Sequence, residues 1–261
     1  MPKVRLTEAL RGEYQRLFDE CQVRPARAPE VERLVVRLLA SKARYAAVGE
    51  PLGIPWQLIG VIHHMECSQN FGQHLHNGDP LRARTRHVPA GRPPSGEPPF
   101  TWEESATDAL TMEGLPQWSD WSIPGILYCL EGYNGWGYRL HHPEVKSPYL
   151  WSASNQYESG KYVADGRWSD TAVSAQCGAA SLLRRMAEKG ELEAETALEG
   201  PLFTYAPKKV IAGGSELQRF LNRFPGIFLR EDGKLGAKTS AACKRLFGRY
   251  LAGDPRDSQG S

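Results

Sequence analysis

No CxxC pair occurs in this chain, and its five cysteines, Cys21, Cys67, Cys129, Cys177 and Cys243, are odd in number and widely scattered. A ribbon-type zinc site is therefore not expected, and reduced thiols are the expected state. Excess charge is also missing. The 32 Lys and Arg nearly cancel the 30 Asp and Glu, which removes the electrostatic footprint of a nucleic-acid binder. No apolar run approaches the length of a membrane span. The opening Met1-Pro2-Lys3-Val4-Arg5-Leu6-Thr7-Glu8 has no apolar h-region and no cleavage site, so synthesis in the cytoplasm without a Sec-type leader is expected. No HExxH pattern occurs, and neither a metal nor an organic cofactor is called for.

What is present is a chain of 261 residues with seven Trp. That length suits a medium-sized domain followed by a small module. Apolar residues at helical spacing predict helices over 6–23 and 29–48. Pro51-Leu52-Gly53 interrupts, and a strongly apolar helix is expected from Pro55 to Cys67. Its carboxylate is Glu66, near the C-terminal end. A carboxyl on a buried element has its charged form disfavoured, which is what a general acid near neutral pH requires. A capping or ion-pairing role, with Arg82, Arg84 or Arg86 as partner, is the plain alternative.

Residues 69–101 are dense in Gly, Pro, His and Arg. A loop of that length is usually functional when ordered, and a small hairpin or extended lobe is expected in it. Asn77-Gly78-Asp79-Pro80 is a strong turn signal. Thr101 with Glu104 reads as a capping box opening the next helix. Ser122 can cap another at 122–132, with Pro124 in its first turn. Residues 141–168 are loop-rich and aromatic, and Ser169 can cap a helix over 169–189. The acidic stretch Glu191–Glu199 reads as a solvated helix end or linker, and Gly200-Pro201 opens a tail of different character.

Two stretches carry a resemblance. Gly53-Ile54-Pro55, an apolar helix, Glu66, Ser68 and then Asn70-Phe71 resemble the first motif of lytic transglycosylases and goose-type lysozymes. Cys67 departs from that pattern. Glu131-Gly132-Tyr133-Asn134-Gly135 resembles the Tyr-Asn-Gly signature of the same families. The likeness covers about residues 45–190. It implies a mainly α, lysozyme-like domain over 1–195 with a loop or hairpin lobe after the catalytic helix. It implies Glu66 as catalytic acid, with Asn70, Tyr133 and Asn134 holding the sugar. Trp136, Trp151 and Tyr149 are candidate sugar platforms. A second carboxylate across the cleft is expected at Asp79, with Glu131 and Asp165 as lesser candidates.

The tail carries Leu217-Gln218, Asp232-Gly233-Lys234-Leu235-Gly236 and Thr239. These resemble a three-helix peptidoglycan-binding module, expected at 200–255 with Thr239 capping its last helix. Together the likenesses imply a monomeric enzyme that cleaves β-1,4 links of peptidoglycan and reaches the wall by phage-type release or a dedicated secretion route. Action on chitosan, chitin or another glucan, lytic transglycosylation, and non-catalytic wall binding remain open. Two further readings compete. His63 and Cys67, four apart on one helix, could form the dyad of a wall amidase, and His74 and His76 with His63 or His64 could hold a metal.

Overall fold

The computed structural model describes residues 4–164, 166–192 and 203–257. Asp165, Gly200 and Pro201 lie outside these, as does most of the Glu191–Glu199 stretch. The chain divides into two compact units, Met1–Ala194 and Glu195–Ser261.

The first unit is helical around one central helix. α1 (Glu8–Asp19) starts where Thr7 Oγ1 accepts from the Leu10 amide at 3.2 Å, and it buries Leu10, Tyr14, Leu17 and Phe18. The periodicity over 29–48 resolves into two helices, α2 (Ala28–Ala40) and α3 (Lys42–Leu52). Ser41 leaves helical geometry at φ −104°, ψ 7°, and its amide bonds back to Leu38 O. Gly53 then ends α3 in the left-handed region at φ 66°, where a side chain would add strain.

α4 (Trp56–Cys67) is the hub, packing against α3, α6 and α9. Eleven of its twelve residues are buried, Glu66 being the exception. Leu58, Ile59, Val61 and Ile62 are essentially inaccessible, each worth roughly 1.5–3 kcal/mol of burial. The chain leaves α4 through two consecutive left-handed residues, Ser68 (φ 51°) and Gln69 (φ 63°). Their amides close on His64 O and His63 O, which satisfies carbonyls the helix end would otherwise orphan.

Residues 69–101 form no ladder. A single isolated bridge, Gln73 with Pro80, stands where a hairpin is expected. The segment is held by side chains bonded to backbone instead: Asn77 to His87 O, Arg84 to Gly96 O and Pro93 O, and Thr85 Oγ1 to Pro89 O. Its prolines cannot donate to a ladder.

α5 (Trp102–Met112) opens on the full capping box of Thr101 and Glu104. α6 (Ile123–Tyr133) opens on Ser122, whose Oγ accepts from the Gly125 amide. Short helices α7 (Gly137–His141) and α8 (Pro148–Trp151) follow, then an antiparallel pair, β1 (Lys161–Ala164) with β2 (Arg167–Ser169). The helix expected from Ser169 begins ten residues later: α9 is Ala179–Glu188. Ser169 ends β2, and Val173 is exposed. Gly178 explains the late start. Its backbone lies against Leu150 and Ser152 so closely that a Cβ there would collide with them.

In the second unit the described residues contain two helices, α10 (Gly214–Leu221) and α11 (Ala237–Phe247), where three are expected. Leu221, Ile227, Leu235, Ala242, Cys243 and Leu251 form its core. Buried Gln218 ties the motif together. Its Nε2 donates to Asp232 Oδ1, Lys234 O and Thr239 Oγ1, and its Oε1 accepts from the Gly233 amide. Thr239 is thus inside α11 and bonded to Gln218, while Gly236 holds the cap position. No helix among the described residues is long and apolar enough to cross a membrane.

Candidate active site

Glu66 stands in the last turn of α4, half-buried. Its Oε1 accepts a hydrogen bond from Tyr149 Oη of α8 at 2.9 Å. Burial raises its carboxyl above the usual glutamate range; the Tyr149 bond opposes this, and the charge of nearby Glu113 adds to it. Gln176 Nε2 braces the same turn by donating to Met65 O at 2.8 Å. The Asn77–Pro80 turn packs beneath it, with a Cβ on Gly78 falling 3.8 Å from Glu66 O.

Tyr133, the last residue of α6, sits beside Glu66. Burial pushes its hydroxyl well above the ordinary tyrosine value, as do the charges of Glu66 and Glu113. Tyr149 behaves alike, by burial first and then by the Glu66 charge and hydrogen bond. Both phenols therefore stay protonated donors over the working pH range. Three helix ends meet here: Glu66 in the last turn of α4, Glu113 capping α5, and Tyr133 closing α6. Helix C-termini carry partial negative charge. That field favours a protonated carboxyl and would stabilise a positive charge forming nearby.

A cavity of about 410 Å³ adjoins this cluster, lined by Glu113, Leu115, Trp118, Tyr128, Tyr133 and Trp136 among others. Trp118 and Tyr128 stack at 5.2 Å and 19°, and Tyr128 meets Trp136 at 4.9 Å. Such walls suit the flat apolar faces of a sugar ring.

The structure thus brings Glu66, Tyr133 and Tyr149 together, and sets Trp136 in the neighbouring cavity wall. It does not bring the rest. Asp79 is spent within its own loop: its carboxylate accepts from the Arg86 and His87 amides at 2.7 and 3.0 Å and pairs with His87 Nδ1 at 2.7 Å. Those bonds hold it well below the usual aspartate range, which suits an anchor rather than an acid or base. Glu131 is buried in an ion pair with Arg139 and accepts from Tyr14 Oη. Trp151 is 2% exposed and offers no face to a ligand. Asn70 is exposed and turns its Oδ1 to the Gly72 amide at 2.9 Å. Phe71 joins a core cluster with Tyr45, His63 and Trp102. Asn134 is exposed and caps α6.

The Cys–His dyad does not form. The Cys67 thiol donates to His74 O at 3.1 Å and is pushed up by burial to about 12, while His63 Nδ1 meets Tyr45 Oη at 3.0 Å. No grouping of His, Cys, Asp or Glu among the described residues could hold a metal ion. His74 bonds to Ser105 and Ala83 O, and His76 to Asp108.

Glu113 is the site residue that sequence reasoning missed. A signal for it exists: an acid at a helix C-terminus opposes the helix dipole, and a locally unfavourable residue often marks a functional position. Compared with known proteins, the chain matches no family model, no curated protein and no solved structure.

Proposed function

We propose that residues 4–192 form a glycoside hydrolase of lysozyme-like character that cleaves β-1,4 bonds of peptidoglycan, with Glu66 as general acid. One observation carries this reading. A half-buried carboxyl, raised by burial and held by a tyrosine hydroxyl, stands at the end of an apolar helix beside an aromatic-walled cavity. In the reaction Glu66 gives its proton to the leaving glycosidic oxygen. Tyr149 fixes the carboxyl's orientation, and Tyr133 crowds it from the α6 side. Trp136 and Trp118 form the wall against which a sugar ring rests. The second unit, with its Gln218–Asp232–Thr239 network, is proposed as the wall-binding module.

A zymogram on purified peptidoglycan tests the assignment. Clearing by the wild type, no clearing by Glu66→Gln and near-full clearing by Cys67→Ala are expected. Retained clearing by Glu66→Gln would sink it. Activity of the wild type on chitosan or chitin, but not on peptidoglycan, would move the substrate and keep the acid.

A further inference from the structure

A hydrolase with one acid still needs a group to take the proton of the attacking water. The carboxylates near the site can be sorted by what already holds them. Asp79 is bound by the Arg86 and His87 amides and by the His87 ring. Glu131 is held by Arg139 and Tyr14. Asp108 is shared between His76 and Arg92. Asp120 is taken by Arg11 and Ser122. Glu113 differs from all four: its carboxyl enters no ion pair and no hydrogen bond among the described residues, and it lines the aromatic cavity next to Tyr133. Its residue is exposed, so water reaches it.

From this placement we propose that Glu113 is the second carboxylate of the site and acts as general base; the proposal rests on the reading of Glu66 as the acid. The step balances. A water held at the cavity mouth gives a proton to the Glu113 carboxylate as its oxygen bonds to the anomeric carbon. The glycosidic C–O bond breaks with its electron pair on the leaving oxygen, which takes the Glu66 proton. Solvent then returns Glu113 to carboxylate and Glu66 to acid. No covalent sugar adduct forms, so the new reducing end has the inverted anomeric configuration, and an anhydro sugar is not made.

The charge pattern agrees with these roles. Burial around the Glu113 carboxyl raises it above the ordinary glutamate range, towards the pH at which a base is most effective. Its charge in turn helps keep Glu66 protonated. The support runs one way: an ionised Glu113 favours the protonated Glu66 that the leaving oxygen requires.

The test uses the full chain with Glu113→Ala, Glu113→Gln and Glu66→Gln on peptidoglycan, with and without sodium azide. Expected for Glu113→Ala is a loss of about 100-fold or more in rate, a melting temperature close to wild type, and partial recovery by azide with a glycosyl azide seen by mass spectrometry. Azide should not recover Glu66→Gln, because the leaving group still lacks its proton. NMR of wild-type products should show the inverted anomer first. Three results would overturn the proposal and leave Glu66 standing: Glu113→Ala within a few-fold of wild type, loss of rate without azide recovery, or a retained anomer. Full activity of Glu66→Gln would overturn the underlying reading instead.

Discussion

Glu66 is held in a place where its charge is unwelcome, and that has a cost in stability. Its folded value lies above the ordinary glutamate value of about 4.3. The folded state therefore binds the proton more tightly than the unfolded chain, and stability falls as pH rises from the unfolded value through the folded one. Glu66→Gln is expected to raise the melting temperature at neutral pH, with the gain shrinking as pH falls towards about 4.3 and absent below it; thermal melts of both proteins across pH check this. Tyr149→Phe should act in the other sense on chemistry. It removes the hydrogen bond that favours the ionised carboxyl, so the alkaline limb of the pH–rate profile should move to higher pH, with stability lower by about 1 kcal/mol. At this scale the sequence was legible where one residue broke a pattern: Glu66 is the carboxylate on an otherwise buried helix. Asp79 misled because the turn signal is real, yet its carboxylate is claimed by amides seven and eight residues on, which no short-range pattern displays. Trp151 misled because an aromatic in a loop-rich stretch gives no sign of whether it faces solvent.

Elements were readable wherever a cap or a period announced them. The capping box of Thr101 and Glu104, Ser122 at the start of α6 and the apolar run of α4 all lie in local sequence. The start of α9 was not. Ser169 is an acceptable cap by type, but β2 takes it and a close crossing of backbones at Gly178 fixes where the helix begins. That constraint is tertiary and leaves only a glycine as its trace. Gly178→Ala should therefore destabilise the protein by about 1–3 kcal/mol, read as a lower midpoint in urea. A glycine with open space around it, such as Gly12, is the matched control; Gly12→Ala, on the exposed face of α1, should raise the midpoint slightly.

Across the whole molecule, the division into two units follows the change in composition near residue 200, and the mainly helical character follows the periodicity. The convergence of three helix ends on one site was hidden, because residues 66, 113 and 133 belong to separate helices whose packing no local rule specifies. The same core sets the acid limit of the fold. His63 and His64 are buried side by side on α4, and burial lowers both to about 4, with Arg37 and Arg44 opposing any added positive charge. The unfolded chain takes up these protons near pH 6.5. Stability contributed by the neutral imidazoles is complete above that value and is lost as pH falls towards 4, by up to about 3 kcal/mol for each. Denaturant titrations at pH 7, 5.5 and 4.5 should show this decline. His64→Gln should flatten it.

The exit from α4 has one more consequence. Two left-handed residues in succession, Ser68 and Gln69, make an abrupt stop that the helix cannot extend or slide past, and each costs roughly 1–2 kcal/mol. The stop sets where Glu66 projects from α4, while Tyr149 and Gln176 hold the same turn from outside the helix. The register of the helix end, rather than the length of the segment that follows, therefore decides which face of α4 carries the Glu66 carboxyl.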